Sequence, residues 1–386
     1  MPTRVAFVRR SDYTPALGDS VERLFSHLGG AGAFFRPGQR VLLKPNMLMD
    51  TPPERAVTTH PEVVRALVRL ARRQGAVPTV ADSPANAVQL RAVWERTGFR
   101  AMCDEEGVPL VSLEKAGSTV MSANGISFSI AKPVLEADLV VTIPKVKTHV
   151  LTVLTGAVKN MYGAVPGVQK THLHKRYPRP REFGRMIAAV YGAIRPGLAV
   201  ADGIVGMAGN GPSGGKSVPL GFLAASADPV ALDVALCCRL GIDERRVAYL
   251  GELRDAGLGE TRRENIEMAG EIPPDLPGGT FPVPSNFAFR LIPSVLARAA
   301  SPWAWIRPLP GDRCVRCGQC VRACPTAALD LGAHGPPVLA PARCIGCCCC
   351  HEVCPAQAIE MVQSPFLNLL QQMRDRRRRF RDSSSS

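Results

Sequence analysis

Eight of the thirteen cysteines fall into two copies of one spacing, Cys314-x2-Cys317-x2-Cys320-x3-Cys324-Pro325 and Cys344-x2-Cys347-x2-Cys350-x3-Cys354-Pro355. Three thiolates in one tight loop reach three irons of a cubane cluster only at about this pitch, and the fourth iron needs a ligand from elsewhere in the chain. The runs form an internal repeat with an offset of 30 residues, which also carries Arg313 onto Arg343, Val315 onto Ile345, Ala328 onto Ala358, Leu329 onto Ile359 and Asp330 onto Glu360. Cys347 to Cys350 are four consecutive cysteines, and the offset marks Cys348 and Cys349 as the two outside the ligand spacing. Zinc sites use paired Cys-x2-Cys halves, so a three-cysteine run closed by Cys-Pro points away from zinc and from disulfides.

Residues 306–364 resemble the bacterial two-cluster ferredoxins at all eight ligand positions and both prolines. In that family the fourth cysteine of each run serves the other cluster. The resemblance therefore implies an α+β ferredoxin-like domain with two 4Fe-4S clusters, one on Cys314, Cys317, Cys320 and Cys354, the other on Cys344, Cys347, Cys350 and Cys324.

That unit uses only the last sixth of 386 residues, and a hydrophobic content of 46% leaves room for a large core in the rest. No basic start followed by an apolar run and a cleavage site opens the chain, and no run of about eighteen apolar residues occurs, so neither a leader nor a spanning helix is expected. Free thiolates need a reducing compartment, which makes the cytoplasm the expected location. Arginine supplies most of the formal charge of +14, and nucleic acid is not the expected partner. The basic run Arg374–Arg381, followed by four serines, reads as a solvated, disordered tail over 365–386, compatible with an acidic partner or peripheral contact with an anionic membrane.

Residues 1–270 alternate strand-like and helical segments, the pattern of an α/β domain with a mostly parallel sheet and flanking helices. Strands are expected at Val5–Arg9, Val41–Leu43, Thr79–Ala81, Leu139–Ile143, Leu198–Ala201 and Gly221–Ala224. Helices are expected at Ser20–Leu28, Pro61–Gly75, Gln89–Arg96 and Pro229–Leu240; Pro61–Gly75 carries proline at its first position and Gly75 as its stop. A linker follows, with an arginine-studded helix over Ser285–Trp305, to make a connecting segment of 271–305. Polar residues cluster where four strands end: Lys44-Pro45-Asn46, Asp82-Ser83, Lys145 to His149, and Asp202 to Asn210. Ligands of open α/β sheets bind outside the carboxyl ends of the strands, so these loops are expected to line one crevice.

Lysine is scarce, nine residues against thirty-eight arginines, yet Lys145, Lys147, Lys159, Lys170 and Lys175 fall within 31 positions where an even spread predicts fewer than one. Lysine suits anion binding, Schiff bases and proton transfer, because its amine is compact and its pKa falls on burial. His149, His172 and His174 share the window. Thr148 is expected to cap a following helix whose free amides add to an anion site. His172-x-His174 lacks a neighbouring carboxylate or cysteine and reads as hydrogen-bonding rather than metal-ligating. Asn210 to Ser217 looks like a phosphate loop but has Asn210 where a glycine is required, with Pro219 in the following helix position. Cys103, Cys237 and Cys238 read as core thiols.

Lys44-Pro-Asn46, Ala81-Asp-Ser83, Pro144-Lys-Val-Lys-Thr-His149, Thr155-Gly-Ala-Val-Lys-Asn160 with Gly163, and the run from Ala201 to Pro212 together resemble the prokaryotic family called domain of unknown function 362, over residues 5–250. Its members often carry a C-terminal two-cluster ferredoxin unit, so the resemblance implies architecture rather than a reaction.

The leading expectation is an iron-sulfur oxidoreductase in which electrons pass to or from an anionic substrate or cofactor held by the α/β domain, or to a redox partner protein. The catalytic candidates are Lys147, His149, Lys159 and Asp82. The binding candidates are Lys44, Asn46, Lys145, Asn160, Asp202 and Asn210. Two alternatives stand beside it: an electron carrier or assembly partner that docks another protein, and a redox-neutral enzyme with structural clusters. The oligomeric state is left open.

Overall fold

The computed structural model describes residues 2–274, 281–284, 303, 305–370 and 372–373. The expected helix over Ser285–Trp305 and the run Arg374–Arg381 fall outside the described residues, apart from Trp303 and Trp305.

The strands are β1 (Thr3–Arg9), β2 (Arg40–Pro45), β3 (Val77–Asp82), β4 (Leu110–Ser112), β5 (Ser118–Ala123), β6 (Ile126–Ala131), β7 (Leu139–Ile143), β8 (Lys145–His149), β9 (Val153–Thr155), β10 (Leu198–Ala208), β11 (Lys216–Ser226) and β12 (Ile266–Gly270). The main sheet runs β12-β1-β11-β10-β7-β2-β3-β4, with β8 and β9 appended through β10, and β5–β6 form a separate hairpin. It is mostly parallel, as expected; the antiparallel exceptions are β1–β11, β10–β11 and β8–β9.

Period-two alternation explains the layering. In β1, Val5 and Phe7 pack on one face of the sheet while Ala6 and Val8 pack on the other. One face is covered by the helices Leu17–Ser26, Pro61–Arg73 and Phe99–Glu106, the other by Pro180–Ile194, Pro229–Arg239 and Ala248–Asp255. The helix Pro61–Arg73 buries Val63, Val64, Leu67, Val68, Leu70 and Ala71, and the His60 side chain accepts the Glu62 amide at its N-cap.

Two expectations change. Lys145–His149 is a strand, paired with β10 and β9, so Thr148 caps no helix; its hydroxyl instead donates to the carbonyls of Met207 and Gly209. Residues 365–370 are helical rather than part of a disordered tail, and Leu367 is buried beside Ile306 and Met361.

The C-terminal unit pairs β13 (Ile306–Pro310) with β16 (Ile359–Gln363) and β14 (Leu329–Asp330) with β15 (Val338–Leu339), around short helices at Gln319–Ala323 and Cys349–Glu352. It sits directly on the α/β domain. The ring nitrogens of His351 face the carbonyls of Ile359 at 2.8 Å and Asn210 at 2.9 Å, the Ser213 hydroxyl donates to the His351 carbonyl, and Gln357 donates to the Ser213 carbonyl. A Cβ on Gly214 would lie 2.9 Å from the His351 ring, so that contact needs glycine. Among the described residues no helix is long and apolar enough to cross a membrane.

Candidate functional site

In the C-terminal unit the ligand-spaced thiols surround two separate cavities. Cys324, Cys344, Cys347 and Cys350 line one, with about 320 Å³ of unfilled space; Cys314, Cys317, Cys320 and Cys354 line the other, with about 350 Å³. Each set takes its fourth thiol from the other run. The remaining walls are largely apolar, among them Pro308, Leu329, Leu339 and Ile345 in the first and Pro310, Val315, Pro337 and Ile359 in the second. Backbone amides point at the sulfurs, Arg316 to Cys314 at 3.4 Å, Ala328 to Cys324 at 3.1 Å and Ala358 to Cys354 at 3.2 Å. Four soft thiols, a dry wall and N–H···S bonds are the donor set of a 4Fe-4S cluster, whose potential such bonds tune. No three His, Cys, Asp or Glu side chains among the described residues converge as a single-ion site would require.

Cys348 sits where Gly318 sits in the first run, and both have a left-handed backbone, φ 64° and φ 70°. Its thiol donates to the Gly346 carbonyl and packs into the main core, while the residue also borders the first cavity. Cys349 lines a cleft between the two domains.

That cleft encloses about 710 Å³, part of it open to solvent. One wall carries Lys44 near the end of β2 with Asn46 just beyond it, Asp82 at the end of β3 with Ser83 just beyond it, Lys159 and Asn160 from the short helix Ala157–Asn160, and Lys170 and His174 from the helix Gln169–Arg176. The facing wall is the second cluster loop, with Cys349, Glu352 and Val353, joined by Ala323. Its position at the carboxyl ends of parallel β2 and β3 is where ligands enter sheets of this type.

Lys44 and Asp82 form a buried ion pair at 2.7 Å, and Asp82 also accepts the amides of Met47 and Ser83. Gly163 covers the pair so closely that a Cβ would fall 2.5 Å from Asp82 Oδ1 and 2.6 Å from Lys44 Nζ. The Asn160 amide group donates to the Lys44 carbonyl and to Thr142. Lys170 donates to the Ser83 carbonyl and hydroxyl and to the Pro84 carbonyl, each at 2.6 Å, and burial pulls its pKa down to about 8. Lys159 has neither hydrogen bond nor ion pair among the described residues; its amine lies 6.0 Å from the Phe183 ring. Burial lowers its pKa, Glu352 opposes the shift, and the Lys44 charge adds to it.

Glu352 reaches across from the cluster loop. Its Oε1 lies 3.0 Å from His149 Nε2, and neither atom has a well-aligned hydrogen bond within the protein. The Leu151 amide donates to His149 Nδ1, so the ring proton belongs on Nε2, facing the carboxylate. Burial, with the Lys159 charge adding, pushes His149 down to about 3 and His174 to about 4, although Glu352 opposes both shifts. Burial works against the Glu352 charge, yet His149, His174 and Lys159 outweigh it and hold the carboxyl below its ordinary range.

Of the sequence candidates, Lys44, Asn46, Asp82, Lys159 and Asn160 meet in the cleft, and His149 stands behind Glu352. The others lie elsewhere. Lys145 and Asp202 form a separate buried pair at 2.7 Å, closed by the Tyr13 hydroxyl and by Tyr13 stacking on His60. Lys147 is buried and donates to the Val57 carbonyl. Asn210 is exposed and contributes its carbonyl to His351. Two of the four expected strand-end loops therefore line the crevice. Lys145 to His149 is instead a strand, and Asp202 to Asn210 runs from the extension of β10 into the domain junction.

Glu352 was not among the candidates. The repeat offset carries a signal for it, since Val321-Arg322 in the first copy becomes His351-Glu352 in the second, a reversal of charge inside otherwise matched loops.

A family model described as Domain of unknown function (DUF362) matches residues 41–238, and one described as 4Fe-4S binding domain matches residues 311–330. A thylakoid-associated protein of Synechocystis sp. is 35% identical over 266 residues, spanning 68% of this chain and 83% of its own length. Among solved structures, the lactate racemase apoprotein of Thermoanaerobacterium thermosaccharolyticum aligns at a TM-score of 0.42 and 13% identity; the match covers 61% of this chain and 56% of that one.

Proposed function

This chain belongs to the family described as Domain of unknown function (DUF362), carries a 4Fe-4S binding domain, and on that premise we propose that it is an iron-sulfur oxidoreductase whose substrate occupies the interdomain cleft. The observation that carries this reading is the shared cleft, walled on one side by a cluster loop and on the other by lysines and amides. Two 4Fe-4S clusters, on the two thiol sets described above, supply one-electron exchange when bound.

The residues of the chain do the rest. Lys44, Lys159 and Lys170 line the cleft beside the carboxylates of Asp82 and Glu352, and the hydrogen-bond donors of the lysines suit an anionic ligand. Asn46 and Asn160 orient it. Lys159 is the cleft lysine left free to touch it, while Lys44 and Lys170 set the local field. The Lys44–Asp82 pair leaves Asp82 committed to structure, and His149, buried behind Glu352, acts on a cleft ligand only through that carboxylate. Free thiolates suit a reducing compartment such as the cytoplasm.

An anaerobic dithionite titration of the full-length, iron-loaded protein, followed by electron paramagnetic resonance, tests the reading. The expected result is uptake of about one electron per 4Fe-4S cluster with signals from two interacting centres. Lys159→Ala is expected to leave that uptake intact and to abolish reoxidation by a cleft ligand. Loaded clusters that cannot be reduced would sink the proposal and favour redox-neutral chemistry in the cleft.

A second reading, an electron carrier that docks another protein, is favoured by one surface. Phe366, Leu369 and Met373 are exposed at helical spacing, immediately before the arginine run.

A further inference from the structure

The three lysines of the cleft are not equivalent. Lys44 has a carboxylate partner and Lys170 has three oxygen acceptors, so both are satisfied as ammonium groups. Lys159 has none among the described residues, and its half-buried amine lines the cleft, where the neutral form is reached more readily than in water. Its backbone is firmly held. Asp233 accepts the Ala157 and Val158 amides at 2.6 and 3.1 Å, Gly156 is required because a Cβ there would lie 2.1 Å from Asp233 Oδ1, and Asn160 is tied to Thr142 and Lys44. An unpaired primary amine on a rigid element, lining an open cleft, is a nucleophile for carbonyl carbon. Burial and the neighbouring Lys44 charge both favour its neutral form, over the opposition of Glu352.

The same cleft offers polar atoms beside Lys159. Among the described residues His174 Nδ1 is buried and makes no hydrogen bond, and Glu352, whose Oε1 faces His149 Nε2 at 3.0 Å, lines the same space. They are suited to receive the hydroxyl and amine hydrogens of a tetrahedral adduct. The fixed positive charges of Lys44 and Lys170 are suited to its anionic end.

We infer that Lys159 condenses with the carbonyl group of a 2-oxo acid held in the cleft, forming a Schiff base. The amine nitrogen bonds to the carbonyl carbon, the carbon–oxygen bond breaks, and the oxygen leaves as water with both amine hydrogens. No oxidant or reductant is consumed in this step. The inference rests on the reading of the cleft as a substrate site and names the class of that substrate.

The test uses the full-length, iron-loaded protein incubated anaerobically with pyruvate and cyanoborohydride, which delivers hydride to the imine carbon and makes the link permanent. Intact mass and peptide mapping then locate the adduct. One adduct per chain is expected, at Lys159; it is absent from Lys159→Arg and retained in Lys175→Arg, which alters an exposed lysine outside the cleft. An unlabelled wild-type protein overturns the inference, as does labelling spread over the exposed Lys115, Lys132, Lys175 and Lys216. The outcome is separable from that of the redox titration. Labelling at Lys159 with clusters that never cycle removes the oxidoreductase reading alone, whereas reversible cycling with a cleft ligand and no labelling removes the Schiff base alone.

Discussion

Gly163 shows how tightly single residues are specified around the cleft. With Lys44 Nζ and Asp82 Oδ1 both within bonding reach of an added methyl, Gly163→Ala is expected to push the ion pair apart and strand a buried charge. Loss of a buried partner costs on the order of 3–5 kcal/mol, so denaturant unfolding should show a large drop in midpoint. The buried histidines make a second prediction at this scale. His149 and His174 have native values near 3 and 4 against an ordinary 6.5, so between about pH 6.5 and 4 the unfolded chain binds more protons than the folded one. Stability is therefore present above pH 6.5 and is lost as pH falls through that window, by roughly 1.4 kcal/mol per pH unit for each histidine. Thermal melts across the range should show this slope, and His149→Gln should make it shallower. A His149→Gln protein with an unchanged slope would exclude His149 as a source.

At the scale of elements, the two cluster loops repeat each other in backbone as well as in sequence. Left-handed residues recur at the 30-residue offset, Arg316 with Gly346, Gly318 with Cys348, and Ala327 with Gln357. This assigns Cys348 a turn position and leaves Cys349 in the cleft wall, so Cys348→Gly and Cys349→Ser are expected to retain the iron content of the wild type. Cys350→Ser should lose about half of it, because that thiol belongs to only one of the two ligand sets. Iron quantification with spectroscopy on the three variants decides the matter. The sheet was legible for a related reason. Four of the six expected strands and all four helices fall within a few residues of their expected places, as at Leu139–Ile143 and Pro61–Arg73, since apolar periodicity marks each one, whereas β10 and β11 run well past the expected Leu198–Ala201 and Gly221–Ala224. Lys145–His149 escaped that reading. Its lysines and histidine are buried inside the fold, and a strand made of charged residues carries no apolar alternation to announce it.

For the whole molecule, the decisive feature is the seat of the ferredoxin-like unit on the α/β domain. Glu352 brings a carboxylate to His149, His174 and Lys159, while His351, Ser213 and Gln357 join the two backbones. Glu352→Ala is expected to loosen that seat without removing a cluster ligand. Hydrogen exchange should accelerate across β8 and the helix Gln169–Arg176 while iron content stays unchanged; unaltered exchange there would show that the carboxylate does not hold the junction.

The sequence by itself determined the local chemistry: thiols at cubane pitch, an α/β alternation, and a cluster of lysines too dense to be incidental. These are properties of spacing along the chain, and they survive without knowledge of contacts. Only the tertiary structure decided which lysines meet. It paired Lys145 with Asp202 outside the cleft, turned Lys147 toward the Val57 carbonyl, and left Lys159 unpaired opposite Glu352. The physical reason is that a buried amine is defined by the acceptors around it, and those come from strands, turns and a second domain far away in sequence.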